Sequence, residues 1–320
     1  MRFRMLSEEH YAQEMAQTEQ RLAHVETRGE LRSFDGCRLS WSCYRSGNAK
    51  AAVVFVHGFT EFSEKYHELC AYFLEMGYDA FLLDLRGHGL SERQVSDPHL
   101  AHVEHFSDYV EDLECYISQI VRPSIGKMPL YLFAHSMGGS VASLWMAKYG
   151  GASRAVLSSP MVCPRTYGLP RRALRRIVRR YAAEDGRNGK FRYAGEFTPS
   201  PVFEKCGDLS FARFRYNLDK RIADVRYQNS SATNAWMEEA LTVQEALLDR
   251  KTMSEVRARV LLLYGGRDAS VRKLPIRRLA ALLSEGSCRC FRKGKHGLYT
   301  SDNALLAEYL QTVFAFFGAD

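Results

Sequence analysis

The sequence has no long hydrophobic run. No apolar stretch of the 320-residue chain approaches the ~18 residues that a membrane-spanning helix requires. The N-terminus begins basic but soon becomes acidic and polar, so it lacks the apolar core of a secretory signal peptide. We therefore expect a cytoplasmic protein that is not exported by that route, and peripheral contact with the inner face of the membrane stays open.

Patterns typical of metal sites and disulfides are also absent. The eight cysteines are scattered, and none forms a CxxC pair with metal spacing or lies in a small disulfide-rich module. Cys288 and Cys290 form a CxC, but both side chains would point to the same face of a strand, which favours ordinary packing. The sequence predicts reduced thiols, no metal ion and no cofactor.

Short apolar runs alternate with amphipathic segments from residue 51 onward. Such runs are typical of parallel strands buried on both faces under crossover helices. Upstream, two alternating runs flank Asp35-Gly36, a dipeptide that suits a tight hairpin turn. The pattern predicts an α/β protein with a mostly parallel, doubly wound sheet and an N-terminal antiparallel hairpin. The predicted strands are 51–58, 78–87, 130–136, 154–160, 259–266 and 288–296, and the predicted helices lie near 64–76, 105–121, 137–149, 272–284 and 303–317.

A basic insertion interrupts this alternation. More than ninety residues separate the strands 154–160 and 259–266, whereas one strand-helix-strand unit needs ~30. Residues 161–235 contain sixteen basic and seven acidic residues, a local charge of +9, while the whole chain carries +7. We therefore predict three parts: a loosely docked helical extension (1–28), a core in two segments (29–160 and 236–320) and an inserted basic cap (161–235).

The stretch "FAHSMGGSVA" places a serine between small residues, where an apolar strand meets a helix. A nucleophilic serine on such an elbow is usually written GxSxG, because side chains two residues away would collide with neighbouring strands and helix. Ala134 replaces the first glycine and Gly138 keeps the second, so small residues stand where the turn needs them. Gly139 would let the helix approach the sheet closely. We predict Ser136 as a nucleophile.

A serine hydroxyl needs a general base, and the base needs a carboxylate that orients it. Asp268 follows the strand 259–266, and His296 lies in the glycine-flanked "GKHG" after the last strand, so both would reach the sheet edge that presents Ser136. We predict His296 as the general base and then acid, and Asp268 as the orienting carboxylate. Asp84, which also ends a strand, is the rival of Asp268.

The oxyanion of a tetrahedral intermediate is stabilised by backbone N–H groups in such an elbow. We expect one donor from Met137, directly after Ser136, and the other from Phe59, in the loop after the strand 51–58. Three further histidines in these motifs are interpreted as residues that brace loops or pack beside the nucleophile: His57, His88 and His135.

Together these motifs resemble the monoacylglycerol lipase and lysophospholipase branch of the α/β-hydrolase superfamily. The resemblance rests on "VHGFTEFSEKY", "LLDLRGHGLSE", "AHSMGGS", "GGRDASV" and "GKHGLY" and covers residues from about 30 to 317. The stretch "SDPHLAHVEHFSDYVEDL" is similar to bacterial inner-membrane lysophospholipases of that branch. The resemblance implies an α/β-hydrolase fold, oxyanion donors at Phe59 and Met137, and a cap over the active site at 161–235.

The insertion contains a basic amphipathic helix in "LPRRALRRIVRRYAAEDG". Its apolar residues Leu174, Ile177, Val178 and Tyr181 fall on one stripe, and six arginines surround them: Arg171, Arg172, Arg175, Arg176, Arg179 and Arg180. Such a helix favours contact with an anionic membrane surface, where each arginine contributes about 1 kcal/mol. A solvated helix face is the alternative. Nucleic acid is not an expected partner, because no nucleic-acid-binding motif accompanies the arginines.

The predicted reaction is hydrolysis of a carboxylic ester through an acyl-serine intermediate, with a small lipid ester, a lysophospholipid or a monoacylglycerol, as substrate. A general esterase, a thioesterase, an amidase or an acyltransferase would use the same side chains. A non-catalytic lipid or signal receptor would be expected to lose one of them. Dehalogenase and epoxide hydrolase chemistry is disfavoured, because it uses an aspartate at the elbow.

Overall fold

Eight strands form one mixed sheet in the computed structural model, which describes residues 4–166, 168–193 and 195–318. The strands are, in chain order, β1 (Glu26–Arg32), β2 (Arg38–Tyr44), β3 (Ala51–Val56), β4 (Tyr78–Leu83), β5 (Leu100–Ala101), β6 (Leu130–His135), β7 (Arg154–Ser158), β8 (Ser231–Ala232), β9 (Arg259–Gly265) and β10 (Gly286–Phe291). Within the sheet their order is β1-β2-β4-β3-β6-β7-β9-β10. The short strands β5 and β8 pair with each other.

The predicted fold class is confirmed. The contacts β1–β2 and β2–β4 are antiparallel, and the other neighbouring strands of the sheet run parallel. Every residue of β3 and β4 is buried, since helices cover both faces of the sheet. The hairpin turn contains Gly36 with φ 88°. Strand β10 is shorter than predicted, because the chain turns after Phe291 and continues as a loop to His296.

The helices are α1 (Tyr11–Ala23), α2 (His67–Glu75), α3 (Phe106–Tyr116), α4 (Arg122–Ile125), α5 (Met137–Tyr149), α6 (Arg171–Asp185), α7 (Phe211–Ala223), α8 (Asn234–Thr242), α9 (Gln244–Leu247), α10 (Arg250–Met253), α11 (Lys273–Leu282) and α12 (Asn303–Gly318). A π-helical turn, Ile117–Val121, joins α3 to α4, and 3₁₀ turns occupy Ser63–Tyr66, Phe203–Lys205, Val225–Tyr227 and Leu298–Thr300. None of the helices in the described ranges is long and apolar enough to span a bilayer.

The inserted segment contributes two of the longer helices. Helices α6 and α7 and strand β8 lie between β7 and β9 in the chain, and β8 connects the segment to β5 of the core. Position 235, where the sequence analysis ends the insertion, falls inside α8. The segment is therefore joined to the core through a continuous helix.

Helix α1 is held by buried contacts, in contrast to the loosely docked helix expected. Tyr11, Met15 and Leu22 are buried, and the Tyr11 hydroxyl donates to Glu68 of α2 at 2.8 Å. Arg213 of α7 donates to the same carboxylate at 2.6 and 2.8 Å. The Glu68 carboxylate thus joins the N-terminal helix, the core and the inserted segment.

A second carboxylate, that of Glu19 on α1, also contacts both α2 and α7. Its carboxylate lies 2.6 Å from Lys220 Nζ of α7 and 2.9 Å from His67 Nδ1 of α2. Burial acts to raise the pKa of Glu19, but the hydrogen bonds from His67 and Lys220 outweigh it and lower the pKa to about 2. The pKa of the Glu19 carboxyl is lower in the folded chain than in the unfolded chain. Its ionised form therefore stabilises the fold fully above the unfolded pKa, and this stabilisation is lost as the pH falls towards 2.

We expect Glu19→Gln to lower the free energy of unfolding by about 1–2 kcal/mol at pH 7. The difference from the native chain should shrink between about pH 4.3, the ordinary glutamate pKa, and pH 2. Urea unfolding across this pH range measures both effects. Glu9→Gln, at an exposed position, is the matched control. An equal loss at pH 2 and pH 7 would contradict the assignment of the shift to Glu19.

Candidate active site

Ser136 occupies a strained turn between β6 and α5. Its φ of 50° and ψ of −116° lie in a region that L-residues rarely adopt. A Cβ atom on Gly138 would lie 2.1 Å from the carbonyl oxygen of Val56, and one on Gly139 would lie 2.6 Å from Pro160 Cβ. Glycine is therefore required at both positions for the helix to approach β3 and the end of β7.

The structure brings Ser136, His296 and Asp268 into hydrogen-bonding contact. His296 Nε2 lies 2.9 Å from Ser136 Oγ, and His296 Nδ1 lies 2.8 Å from Asp268 Oδ2. Each side chain reaches the site from a loop at the carboxyl end of a parallel strand, β6, β9 or β10. This common edge explains how residues far apart in the chain come together.

The environment of Asp268 determines which nitrogen of His296 carries the proton. Asp268 is only 2% exposed, and its Oδ1 accepts the backbone N–H groups of Ser270 and Val271 at 2.7 and 3.0 Å. Burial acts to raise the pKa of Asp268, but the bonds from His296 and the backbone lower it. A charged carboxylate only accepts hydrogen bonds, so Nδ1 of His296 donates to it. Nε2 is then free to accept the Ser136 proton.

The rival carboxylate, Asp84, has a different set of partners. Its two oxygens accept the backbone N–H groups of Ser63 at 2.6 Å and Leu90 at 2.8 Å, and burial raises its pKa. A Cβ atom on Gly89 would collide with this carboxylate. Asp84 therefore organises the loops after β3 and β4, whereas the carboxylate in contact with His296 is that of Asp268.

Two of the other histidines brace these same loops. His57 Nε2 accepts the backbone N–H of Leu85 at 2.9 Å, so its Nδ1 carries the proton and donates to the Gly58 carbonyl at 2.8 Å. His88 is fully buried, with its Nδ1 3.0 Å from the Arg86 carbonyl. Burial lowers the pKa of both imidazoles, so they are neutral supports at pH 7.

The two residues predicted as oxyanion donors lie on either side of the serine. Met137 is the first residue of α5, where a helix leaves its N–H groups without intrahelical acceptors. Phe59 follows β3 and lines the same cavity as Ser136, and its ring stacks on Trp236 with centroids 3.9 Å apart. The next residue, Thr60, is strained at φ 62°. This loop is thus held in a defined conformation next to the nucleophile.

A buried glutamate that the sequence analysis did not single out connects these loops. Glu61 is 6% exposed, and its carboxylate binds five groups: the Gly58 N–H (2.7 Å), the Tyr66 hydroxyl (2.6 Å), His135 Nδ1 (3.0 Å), Lys65 Nζ (2.7 Å) and the Tyr299 hydroxyl (2.5 Å). His135 Nε2 in turn lies 3.3 Å from the His296 carbonyl oxygen. Burial acts to raise the pKa of Glu61, but Lys65 and His135 hold it well below its usual range.

Ser136 opens onto a cavity of about 400 Å³. One wall comes from the loops after β3 and β10, including Phe59 and His296. The opposite wall belongs to the inserted segment, with Phe214 and Leu218 of α7 among its residues. The site therefore has both apolar and polar surface around the serine. The described ranges contain no group of His, Cys, Asp and Glu side chains that could hold a metal ion.

The six arginines of α6 divide into two groups. Four form ion pairs: Arg171 and Arg175 with Glu245, Arg179 with Glu238, and Arg180 with Glu184. Arg172 and Arg176 are exposed and form no ion pair within the part of the chain that the structure describes. The apolar stripe of α6 packs through Val178 against Phe191 and Leu241.

A comparison with protein-family models identifies the family. The model Hydrolase_4, described as "Serine aminopeptidase, S33", matches residues 47–303. The chain belongs to this family. Lysophospholipase L2 of Escherichia coli K12 is 30% identical to this Hydrolase_4 member over 225 residues, 68% of this chain and 64% of the relative. The chain thus spans slightly less than two thirds of that relative. Probable lysophospholipase L2 of Haemophilus influenzae is 27% identical over 259 residues, 78% of this chain and 79% of the relative.

Solved structures agree on the fold. A soluble variant of monoglyceride lipase from Saccharomyces cerevisiae superposes with a TM-score of 0.69 at 16% identity, covering 92% of this chain and 96% of the other. A carboxyl esterase from Bacillus coagulans gives a TM-score of 0.71 at 17% identity, covering 92% and 98%. Together with the relatives above, these findings confirm the predicted α/β-hydrolase branch for this Hydrolase_4 member.

We expect Glu61→Gln to lower the free energy of unfolding by about 2–4 kcal/mol, since an amide cannot accept all five donors and leaves buried groups without partners. In a test of p-nitrophenyl ester hydrolysis, kcat should fall about tenfold or more with a smaller change in KM, because the variant disturbs the loops around Ser136. Urea unfolding and steady-state kinetics on a p-nitrophenyl ester measure both effects. Glu75→Gln, exposed at the end of α2, is the control. Native kcat and stability in Glu61→Gln would refute the role of this carboxylate.

Proposed function

We propose that this Hydrolase_4 member is a serine hydrolase that cleaves carboxylic esters of lipids through an acyl-serine intermediate. The observation that carries the proposal is the continuous chain of contacts from Asp268 through His296 to Ser136, at 2.8 and 2.9 Å, at the edge of a cavity. A strained serine, a base with a defined tautomer and a buried carboxylate are the parts that acyl transfer to serine requires.

In the proposed reaction His296 Nε2 takes the Ser136 proton as Oγ attacks the ester carbonyl carbon. The charge of Asp268 stabilises the imidazolium, and the N–H groups of Phe59 and Met137 bind the oxyanion. His296 then protonates the departing alcohol, which leaves the acyl group on Ser136. A water molecule, deprotonated by His296, releases the fatty acid by the reverse sequence.

Lysophospholipids and monoacylglycerols are the proposed substrates. The names of the relatives support this class, since they include lysophospholipase L2 in Escherichia coli and monoglyceride lipase in Homo sapiens, the latter 33% identical over 121 residues, 37% of each chain. The cavity supports it as well, because Phe59, Phe214 and Leu218 supply apolar surface for an acyl chain.

We propose that residues 161–235 act as a cap over this site, between core segments at 29–160 and 236–320 and with residues 1–28 as an N-terminal extension. Support comes from the cavity, since residues of the inserted segment line the same cavity as Ser136. A cap of this kind excludes water from the acyl-transfer step and selects the substrate by shape.

A peripheral contact with the inner face of the membrane is the second part of the proposal. Arg172 and Arg176 carry it, because their charges face solvent and are not neutralised by neighbouring carboxylates within the described residues. Arg171, Arg175, Arg179 and Arg180 are less suited, since each already pairs with a glutamate. A cytoplasmic location is consistent with the free cysteines.

A fluorophosphonate should add covalently to Ser136 and to no other serine, because among the described serines Ser136 is the one whose hydroxyl contacts a histidine ring. Ser136→Ala should remove the adduct and lower hydrolysis of lysophospholipid and monoacylglycerol at least about a thousandfold. Intact-protein mass spectrometry and a fatty-acid release assay are the measurements. Ser200→Ala, at an exposed position, should keep both activities. An adduct that persists in Ser136→Ala would exclude the proposed nucleophile.

The double variant Arg172→Gln/Arg176→Gln should bind vesicles rich in phosphatidylglycerol more weakly by about 2 kcal/mol, since each arginine near such a surface contributes about 1 kcal/mol. Vesicle co-sedimentation at low and high salt measures the difference, which salt should reduce. Arg171→Gln/Arg175→Gln removes the same charge from paired positions and should have a smaller effect. Equal losses in the two variants would show that net charge alone governs binding.

A further inference from the structure

The cavity beside Ser136 contains a half-buried arginine that forms no ion pair among the described residues. Arg221, on α7, lines the same cavity as Ser136 and His296. Its guanidinium donates to the backbone carbonyls of Tyr227 at 3.0 Å and Asn229 at 2.5 Å. Arg221 forms no ion pair among the described residues, and the Phe197 ring lies 5.0 Å from the guanidinium carbon.

The two fully buried arginines of the described ranges are neutralised. Arg213 meets the Glu68 carboxylate at 2.6 Å, and Arg86 meets that of Asp112 at 2.6 Å. Burial lowers the pKa of Arg221, yet a guanidinium remains charged at neutral pH. A desolvated charge held only by neutral carbonyls is unfavourable unless a counter-charge arrives. Arg221 differs from these two in having no carboxylate within ion-pair distance among the described residues.

The acidic side chains of the cavity form no ion pair with Arg221 among the described residues, although the charges of Glu61 and Asp208 both act to raise its pKa. Glu61 is engaged by five donors, including Lys65, and Glu196 is 81% exposed and paired with Lys190 at 2.8 Å. Asp208 also lines the cavity, and it forms no ion pair with any described residue. Arg221 and Asp208 thus line the same cavity, and neither is part of an ion pair.

We infer that Arg221 binds the phosphate of the substrate's head group, so that the site prefers a lysophospholipid to a monoacylglycerol. This inference rests on the proposed function, because it assigns the head group of the lipid ester cleaved at Ser136. A guanidinium offers several N–H donors in one plane, which match phosphate oxygens, and two of its five donors are used by the carbonyls. Asp208 matches the ammonium group of a zwitterionic head such as ethanolamine.

The test compares two lipids that share one oleoyl chain, lysophosphatidylethanolamine and monoacylglycerol, in neutral detergent micelles. Arg221→Gln should lower kcat/KM for the phospholipid at least tenfold more than for the monoacylglycerol, mainly through KM. Arg215→Gln on the same helix, 53% exposed and paired with Asp219, should keep the ratio within twofold of the native chain. Arg221 also holds the loop at Tyr227, and a purely structural role would lower both activities equally, which would overturn the inference.

A second variant covers the case in which Arg221→Gln fails to fold. Asn217 lines the cavity one turn before Arg221 on α7, and Asn217→Asp adds a negative charge while keeping the guanidinium. It should also shift the ratio towards the monoacylglycerol, because the new carboxylate repels phosphate and pairs with Arg221. A ratio unchanged in both variants would refute the phosphate subsite.

A soluble probe separates this inference from the proposed function. Glycerophosphoethanolamine should inhibit hydrolysis of p-nitrophenyl butyrate competitively in the native chain, and at least tenfold more weakly in Arg221→Gln. Hydrolysis of the p-nitrophenyl ester without hydrolysis of either lipid would contradict the lipid assignment, while the inhibition would still test the subsite. Absence of inhibition in the native chain would overturn the subsite even if both lipids are cleaved.

Discussion

The buried carboxylate of Glu61 holds together the three loops that meet at Ser136. It binds the Gly58 N–H in the loop after β3, His135 next to the nucleophile, and Tyr299 shortly after His296. A charge with this little exposure is stable only because five donors surround it. The positions of Ser136, of the loop that contains Phe59 and of the loop that contains His296 therefore depend on one buried polar centre.

Local strain at the site is supported by the packing around it. Among the residues that the structure describes, three non-glycine residues have positive φ angles: Thr60 after β3, Ser136 after β6 and Ser159 after β7. All three follow buried neighbouring strands of the sheet, so their turns lie side by side. Such conformations persist only where the surrounding structure fixes them. Here the sheet fixes them. Ala134 at the end of β6 is fully buried between β3 and β7, and its small side chain lets the three turns lie close together.

The sequence predicts the parts of this arrangement that depend on local pattern. Buried strands appear as apolar runs, and topology brings Asp268 and His296 to the same edge as Ser136, so these residues can be named without coordinates. Glu61 and Arg213 cannot be found in this way, because partners such as Tyr299 and Glu68 lie on other elements; Arg213 and Glu68 are 145 residues apart. The pairing of Arg171 and Arg179 with glutamates of the α8 region is hidden for the same reason. The sequence does not show which charged side chains from distant parts of the chain form ion pairs with each other.

The contact between Arg213 and Glu68 has a consequence for access to the serine. It ties α7, and with it one wall of the cavity, to α2 and through Tyr11 to α1. Within the described ranges, the ion pairs of α6 lie at the surface, such as those of Arg171 and Arg179 with Glu245 and Glu238. Any widening of the cavity by movement of α7 would therefore require the buried pair of Arg213 and Glu68 to separate.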